Sequence, residues 1–189
     1  APFACRSRAQ QALRGPLIVS PYMSETFSPD DLPSNKPSRY GEVAKMLAAV
    51  ITGEPNYTAR YATCVSLLTQ AFGTRFFWTG FYVVDADKPT ELVVGPYQGT
   101  LGCMRIPFGR GVCGAAAATG LTQMVDDVHA FPGHIACDSR SNSEIVVPVY
   151  DQDGALAAVL DVDSEALAAF DLDDKAGLER ICSVLLTTP

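Results

Sequence analysis

The spacing of apolar residues predicts three long helices, two at the start of the folded part of the chain and one at its end. In the first, Val43, Leu47 and Val50 recur every three or four residues, and Gly53 follows as a stop signal. The second is predicted to begin after an N-cap at residue 56 and to end at residue 73, and the last to begin after a cap at residue 171. The apolar residues that follow the helical period in the second helix are Tyr57, Tyr61, Cys64, Val65, Leu68 and Phe72, and those that share one face of the last are Leu178, Ile181, Cys182 and Leu185.

Between these helices, the pattern changes to short apolar runs that are rich in β-branched and aromatic residues. Asp151–Gly154 is a hairpin signal that joins the last two runs. Strands that follow one another through hairpins favour an antiparallel sheet with helices packed on it, which is an α+β fold, and a long loop that crosses such a sheet can enclose a small-molecule pocket. Strands are predicted over residues 76–84, 92–96, 102–107, 123–125, 144–150 and 155–163, with a short helix rich in Ala and Gly over 112–119.

Residues 1–39 have a different composition. They contain six of the 13 prolines and show no sustained hydrophobic period. We therefore interpret 1–39 as a disordered or loosely attached N-terminal extension and 40–187 as the folded domain, which begins near Tyr40.

Composition and charge exclude several classes of function. The formal net charge of −7 and the scattered basic residues argue against a nucleic-acid partner, because phosphate binding requires clustered Lys and Arg. No segment approaches 18 uninterrupted apolar residues, so the sequence predicts no transmembrane helix. Six cysteines in 189 residues are too few for a disulfide scaffold. These features predict a cytoplasmic protein with reduced thiols.

The candidate chemistry is concentrated between Gly102 and Glu144, where three cysteines and both histidines lie in or beside loops. A reactive thiol needs exposure and an electropositive or hydrogen-bonding environment, and Cys137 has His134 and Arg140 close in sequence. One attacking thiolate with others to resolve it would form a disulfide-cycling catalyst.

Zinc binding is an alternative for the same region. The cysteines at 103, 113 and 137 and the histidines at 129 and 134 provide suitable ligand types, but structural zinc sites usually pair ligands about three to six positions apart. Here the first two cysteines are ten residues apart in sequence. The spacing therefore favours thiol chemistry and predicts no metal.

Acidic residues form a second candidate site. Asp161 and Asp163 end an apolar strand and, being two residues apart, share one face of it, while Glu144 opens the adjacent strand. Like charges buried together need a cation, an amine or a proton, although Asp and Ser are also common at the turn that follows a strand. An aromatic wall is expected nearby, and together the two would suit a small cationic ligand such as an amino acid. The residues expected in that wall are Trp78, Phe81 and Tyr82.

Taken together, these segments closely resemble the free methionine-(R)-sulfoxide reductases, which are GAF-domain enzymes. The resemblance covers roughly residues 40–187 and includes all three loop cysteines in order. The segments that carry it are 77–82 (FWTGFY), 99–114 with Cys103 and Cys113, 126–128 (DDV), 131–138 with Cys137, 143–148 (SEIVVP) and 159–164 (VLDVDS).

The resemblance implies an L-methionine (R)-S-oxide reductase that acts on the free amino acid. It implies Cys137 as the nucleophile that becomes a sulfenic acid, Cys103 as the resolving thiol that forms a disulfide with it, and Cys113 as a third cysteine whose order of action stays open. Electrons are implied to come from thioredoxin and NADPH, with no bound cofactor. GAF domains often pair through exposed helices, so the resemblance also allows a homodimer, in which the partner is a second copy of the chain.

The resemblance also implies roles for the acids and the aromatic residues. A protonated carboxyl among Glu144, Asp161 and Asp163 would donate to the sulfoxide oxygen, and the remaining negative charge would hold the substrate ammonium. Trp78 would pack against the methyl end of the substrate, and Tyr82 belongs to the same binding surface.

Two other functions fit parts of the sequence. A GAF-type sensor of a small ligand explains the fold and the acids but has no use for three loop cysteines. A redox-switched interaction protein explains the cysteines, but such a switch would consume no methionine sulfoxide.

Overall fold

The computed structural model describes residues 27–135 and 137–186 of the chain. Within these two ranges, three single-turn 3-10 helices accompany four α-helices and six strands. The main elements are α1 (Lys36–Ile51), α2 (Tyr57–Phe72), β1 (Trp78–Val84), β2 (Glu91–Gln98), β3 (Arg105–Pro107), α3 (Gly111–Thr119), β4 (Gln123–Val125), β5 (Ser143–Tyr150), β6 (Leu156–Ser164) and α4 (Leu172–Leu186).

The strands form one sheet in the order β3-β2-β1-β6-β5-β4, and every neighbouring pair is antiparallel. Because side chains alternate along a strand, the sheet has two different faces. Helices α1, α2 and α4 cover one face and form the larger apolar core with it, while α3 and the loops cover the other. This confirms the predicted α+β fold with an antiparallel sheet.

The helix caps expected at Asn56 and Asp171 are both present. Asn56 accepts a hydrogen bond from the backbone N–H of Ala59 at 3.1 Å, and Asp171 accepts from Asp173 at 3.0 Å. Gly73, with a φ of 56°, ends α2 as predicted. Short-range capping chemistry therefore fixes these three helix ends.

The first helix differs from its prediction in two ways. It begins at Lys36, before the predicted start of the folded domain near Tyr40, because Asn35 caps it by accepting from the backbone N–H of Ser38 at 2.9 Å. Its buried face includes Ile51, whereas Val50 is only half-buried, so the apolar period continues in steps of four residues from Val43 and Leu47. Residues 36–39 thus belong to the folded part, while residues 1–26 of the predicted extension lie outside the described ranges.

A buried carboxylate, Asp174, ties α4 to α1 and to the segment before β1. Its side chain is 0% exposed and accepts hydrogen bonds from Lys36 at 2.8 Å, from Arg75 at 2.6 and 2.9 Å and from the Tyr40 hydroxyl at 2.9 Å. Desolvation alone would raise the pKa of Asp174, but the hydrogen bonds from Arg75 and Lys36 outweigh it and hold that pKa below its ordinary value. This network fixes the helix layer on which the sheet rests.

We expect Asp174→Asn to lower the free energy of unfolding by about 2–4 kcal/mol near neutral pH, because two cations would lose their shared buried anion. A depressed carboxyl pKa stabilises the fold above the unfolded value and loses this effect as the pH falls, so the difference between wild type and variant should shrink below about pH 4. Urea unfolding between pH 3 and pH 7 measures it. The exposed neighbour Asp173, changed to Asn, is the control. An equal loss for both variants, or no pH dependence, would contradict this account.

The opposite face of the sheet is organised by α3 and two loops. The predicted strand over 102–107 is shorter than expected, because only Arg105–Pro107 pairs with β2. The backbone at Gly102 instead lies directly over the side chains of Trp78 and Tyr82. None of the helices in the two described ranges is long and apolar enough to cross a membrane.

Candidate active site

The strand register brings the predicted acids together. Asp163 on β6 pairs with Trp78 on β1 and with Glu144 on β5. Two residues earlier on β6, Asp161 pairs with Gly80 and Val146 and points to the same side. The three carboxyl groups therefore lie on the pocket face at the centre of the sheet, as the two-residue spacing predicted.

The three acids differ in ionisation because they are buried close together, where burial and mutual repulsion both oppose ionisation. Burial raises the pKa of Glu144 well above its ordinary value, and the charges of Asp161 and Asp163 raise it further. Burial and the charge of Asp161 also raise the pKa of Asp163. Burial raises the pKa of Asp161 to about 6, against hydrogen bonds from Cys113 and Glu144 that favour its ionised form. The group thus holds protonated carboxyls beside one that is ionised near neutral pH.

Cys113 is the buried cysteine of the site. It lies in α3, and its Sγ is 3.8 Å from Oε1 of Glu144. Burial raises the pKa of the Cys113 thiol well above its ordinary value, and the charges of Asp161 and Glu144 raise it further. Cys113 is therefore a protonated thiol at neutral pH, and it does not meet the conditions for an attacking thiolate.

A disulfide joins Cys103 and Cys137, the pair that the resemblance implied. It connects the loop before β3 to the loop before β5 across 34 residues of sequence, with the two Cα atoms 5.5 Å apart. Cys137 is exposed and Cys103 is half-buried, and Cys137 lines the same pocket as the acids. Cys137 is therefore the cysteine of the three that both solvent and a pocket ligand can reach.

A cluster of polar side chains, which we call the loop clasp, fastens the two disulfide-bearing loops beside the bond. The Thr100 hydroxyl donates to Asp138 at 2.6 Å, and the Trp78 indole N–H donates to the Thr100 carbonyl at 3.0 Å. Arg140 donates to Asp138 at 3.1 Å, and its guanidinium lies 4.4 Å from the centroid of the Phe77 ring. The hydrogen bond from Arg140, and to a smaller extent that from Thr100, lowers the pKa of Asp138, so the Asp138 carboxyl in the loop clasp is ionised at neutral pH.

The aromatic wall consists of Trp78 and Tyr82, with Tyr97 on the outer side. The Trp78 ring stacks on Tyr82 and Tyr97 at centroid distances of 5.7 and 5.3 Å. Gly80 makes room for that ring, because a Cβ there would lie 2.6 Å from a Trp78 ring atom. Phe81 was wrongly placed in this wall. Alternation along β1 turns it to the helix side, where it stacks on Tyr61 at 4.3 Å.

The Cys and His combinations considered as the zinc alternative are not assembled in the part of the chain that the structure describes. His129 and His134 lie near each other, with ring centroids 6.3 Å apart, but Cys137 is bonded to Cys103. Within the described ranges, the His, Cys, Asp and Glu side chains close enough to hold one metal ion are Cys113, Glu144 and Asp161. Their ligand atoms lie within 4.8 Å of one another.

The predicted site residues thus meet at one pocket, whose lining includes Trp78, Tyr82, Cys113, Cys137, Glu144, Asp161 and Asp163. Cys103 joins it through the disulfide. Sequence reasoning missed the loop clasp and the pocket residues Ile106, Val112 and Ile135. The Asp-x-Arg spacing of residues 138 and 140 is a weak signal for a local ion pair, but nothing in the sequence pairs Asp138 with Thr100.

No family model matches the chain. The "Free methionine-R-sulfoxide reductase" of Escherichia coli strain K12 is 41% identical over 151 residues, which is 80% of this chain and 88% of the relative. Among solved structures, "free methionine-R-sulfoxide reductase from neisseria meningitidis in complex with its substrate" is 48% identical, with a TM-score of 0.76, and the match covers 81% of this chain and 89% of that one.

A structure described as a "Putative GAF sensor protein from Burkholderia vietnamiensis" is 47% identical, with a TM-score of 0.76, over 81% of this chain and 94% of that one. The chain therefore shares its fold with GAF domains, and its relatives include both reductases and a protein described as a sensor.

Proposed function

The chain belongs to the free methionine-R-sulfoxide reductase family, and from that premise we propose that it reduces free L-methionine (R)-sulfoxide to L-methionine through Cys137, Cys103 and thioredoxin. The observation that carries the proposal is the meeting of an exposed, disulfide-bonded Cys137 with three clustered carboxyl groups in one pocket. Two thiols supply two electrons when they are oxidised to a disulfide, and the acids supply the proton and the charge that a zwitterionic amino acid sulfoxide requires.

In the first step, the Cys137 thiolate of the reduced enzyme attacks the sulfoxide sulfur. The S–O bond of the substrate breaks, its oxygen passes to Cys137 with net uptake of one proton, and Cys137 is oxidised to a sulfenic acid as L-methionine leaves. In the second step, the Cys103 thiol attacks the sulfenic sulfur, releases water and forms the Cys103–Cys137 disulfide. Thioredoxin then transfers two electrons and two protons to this bond, and NADPH reduces thioredoxin in turn. The cycle needs no cofactor bound to this chain, and we place it in the reducing cytoplasm.

The acids have separate roles in proton donation and in substrate binding. A raised pKa keeps Glu144 protonated at neutral pH, so it can donate to the sulfoxide oxygen and make that oxygen a leaving group. Asp161, whose pKa of about 6 leaves it mostly ionised at pH 7, holds the substrate ammonium, and Asp163 lies between Glu144 and Trp78 in the strand register. Trp78 packs against the methyl end of the substrate, with Tyr82 behind it. A homodimer through the exposed helices remains a prediction.

The proposed function is tested by an NADPH-coupled assay with thioredoxin, thioredoxin reductase and free L-methionine (R)-sulfoxide. The (S) epimer and a peptide that contains methionine (R)-sulfoxide are the controls. We expect turnover of the free (R) epimer only. If a folded sample with titratable thiols binds the (R) epimer without turnover, the protein is a ligand sensor. Consumption of the peptide substrate would show that free methionine sulfoxide is not the specific substrate.

We expect Asp163→Asn to lower kcat/KM for the free (R)-sulfoxide by about 2- to 10-fold, mainly through KM, because a raised pKa keeps the Asp163 carboxyl neutral and a hydrogen bond from a neutral group contributes about 0.5–1.5 kcal/mol. Its unfolding free energy should change much less. Steady-state kinetics and urea unfolding measure the two effects. Asp153→Asn, in the exposed β5–β6 turn, is the control. A variant that unfolds instead would give Asp163 a structural role.

A further inference from the structure

Cys113, Glu144 and Asp161 lie against one another although they come from three different elements. Cys113 is on α3, Glu144 on β5 and Asp161 on β6, and their exposed fractions are only 3%, 6% and 6%. One ligand atom from each lies within 4.8 Å of the other two. We call this set the Cys113 triad. Because helix packing and strand register hold it in place, little rearrangement would be needed to bind an ion.

An independent observation indicates that the triad faces a ligand. Oδ1 of Asp161 is fully buried and has no hydrogen-bond partner among the described residues. A buried carboxylate oxygen without a partner costs free energy, so such an atom on a pocket wall usually faces a donor or a cation. The oxygen belongs to a residue that lines the substrate pocket and contacts the other two members of the triad. The triad therefore has an acceptor that no side chain of the described ranges satisfies.

We propose that the Cys113 triad binds one divalent cation of the zinc class inside the substrate pocket. One sulfur and two carboxylate oxygens suit Zn²⁺ or Co²⁺, which accept mixed ligands, better than Mg²⁺ or Ca²⁺, which prefer oxygen alone. Three protein ligands leave a fourth position open toward the pocket. Cys113 is available as a metal ligand in the oxidised protein, because it is free while Cys103 and Cys137 are bonded.

Cobalt is a suitable probe because a thiolate ligand to Co²⁺ gives a sulfur-to-metal charge-transfer absorption in the near ultraviolet. The protein should be titrated with CoCl₂ in its oxidised form, in which Cys113 is the free cysteine of the pocket. A Cys5→Ser background removes the one cysteine that lies outside the described ranges. We expect one Co²⁺ per chain, with the charge-transfer band and with d–d bands of low-symmetry four-coordinate cobalt. Added Zn²⁺ should displace it.

Cys113→Ser should abolish the charge-transfer band and weaken Co²⁺ binding by about 100-fold or more, since losing even an outer partner of a metal site costs about 10- to 100-fold. Cys64→Ala, which removes a buried thiol from the helix-side core, is the matched control and should leave the titration unchanged. If Cys113→Ser does not fold, Glu144→Gln should keep the band and weaken binding. A missing band in the parent protein, or a band that persists in folded Cys113→Ser, would overturn the proposal.

A consequence for regulation rests on the proposed function. A cation on the triad occupies Glu144 and Asp161, so Zn²⁺ should block formation of the first L-methionine by pre-reduced enzyme, and EDTA should restore it. If zinc-free enzyme forms methionine and enzyme carrying one Zn²⁺ forms it equally well, the metal does not lie in the substrate pocket and the proposal is wrong. If zinc-free enzyme forms none, the proposed function fails, and the cobalt spectrum still decides the metal site.

Discussion

Cys137→Ser should yield a folded protein that binds L-methionine (R)-sulfoxide but forms no L-methionine, a loss of at least about 10⁴-fold in kcat, as expected when a covalent nucleophile is removed. The physical reason is exposure and position. Cys137 is the exposed cysteine of the pocket, whereas Cys113 is buried and protonated beside acids. Amino-acid analysis of single-turnover mixtures measures the product, and isothermal titration measures binding.

Ser139→Ala is the matched control for this change, because Ser139 lies in the same exposed loop two residues from Cys137. It should retain activity within about twofold, as exposed substitutions usually do. If Cys137→Ser still releases methionine, another cysteine performs the attack. The double variant Cys103→Ser/Cys137→Ser would then test Cys113 by itself.

Cys103→Ser should form about one methionine per chain and then stop, because the sulfenic acid on Cys137 would lack its resolving partner. The burst should keep its normal rate while steady-state turnover with thioredoxin falls by at least about 100-fold, since chemistry on the substrate precedes the lost step. Rapid quench measures the burst, and capture of the sulfenic acid by dimedone, followed by mass spectrometry, identifies the stalled intermediate on Cys137.

Met104→Ala is the control for the second change, since Met104 adjoins Cys103 and is 70% exposed. It should cycle normally. Normal cycling of Cys103→Ser would instead assign the resolving role to Cys113, and a Cys113–Cys137 disulfide should then be found by peptide mapping. That result would require the buried Cys113 thiol to move away from Glu144.

Local chemistry explains why so much of the fold was predictable from the sequence. The caps at Asn56 and Asp171 and the stop at Gly73 are short-range effects, and each is present in the structure. Alternation on β6 placed Asp161 and Asp163 on one face without knowledge of the neighbouring strands. Alternation on β1 likewise places Phe81 on the opposite face from Trp78, because the two are three residues apart. Grouping them by aromatic character alone was therefore wrong.

Features that depend on long-range pairing were not predictable. The hydrogen bond from Thr100 to Asp138 spans 38 residues between two irregular loops, where no hydrophobic period fixes a register. The Cys113 triad was not predictable for the same reason. Spacing rules for zinc compare neighbours in sequence, whereas Cys113 and Asp161 meet only because α3 packs across β5 and β6.

The division of the sheet into a helix-covered face and a pocket face has a consequence for directed evolution. Along β6, Leu160 and Val162 face the helix core, while Asp161 and Asp163 face the pocket, so selection can act on the two sets almost separately. A library confined to the apolar pocket positions Ile106, Val112 and Ile135 would vary the shape of the cavity without touching the helix-side core. Such a library is a direct route to variants that accept bulkier sulfoxides while their thermal tolerance is retained.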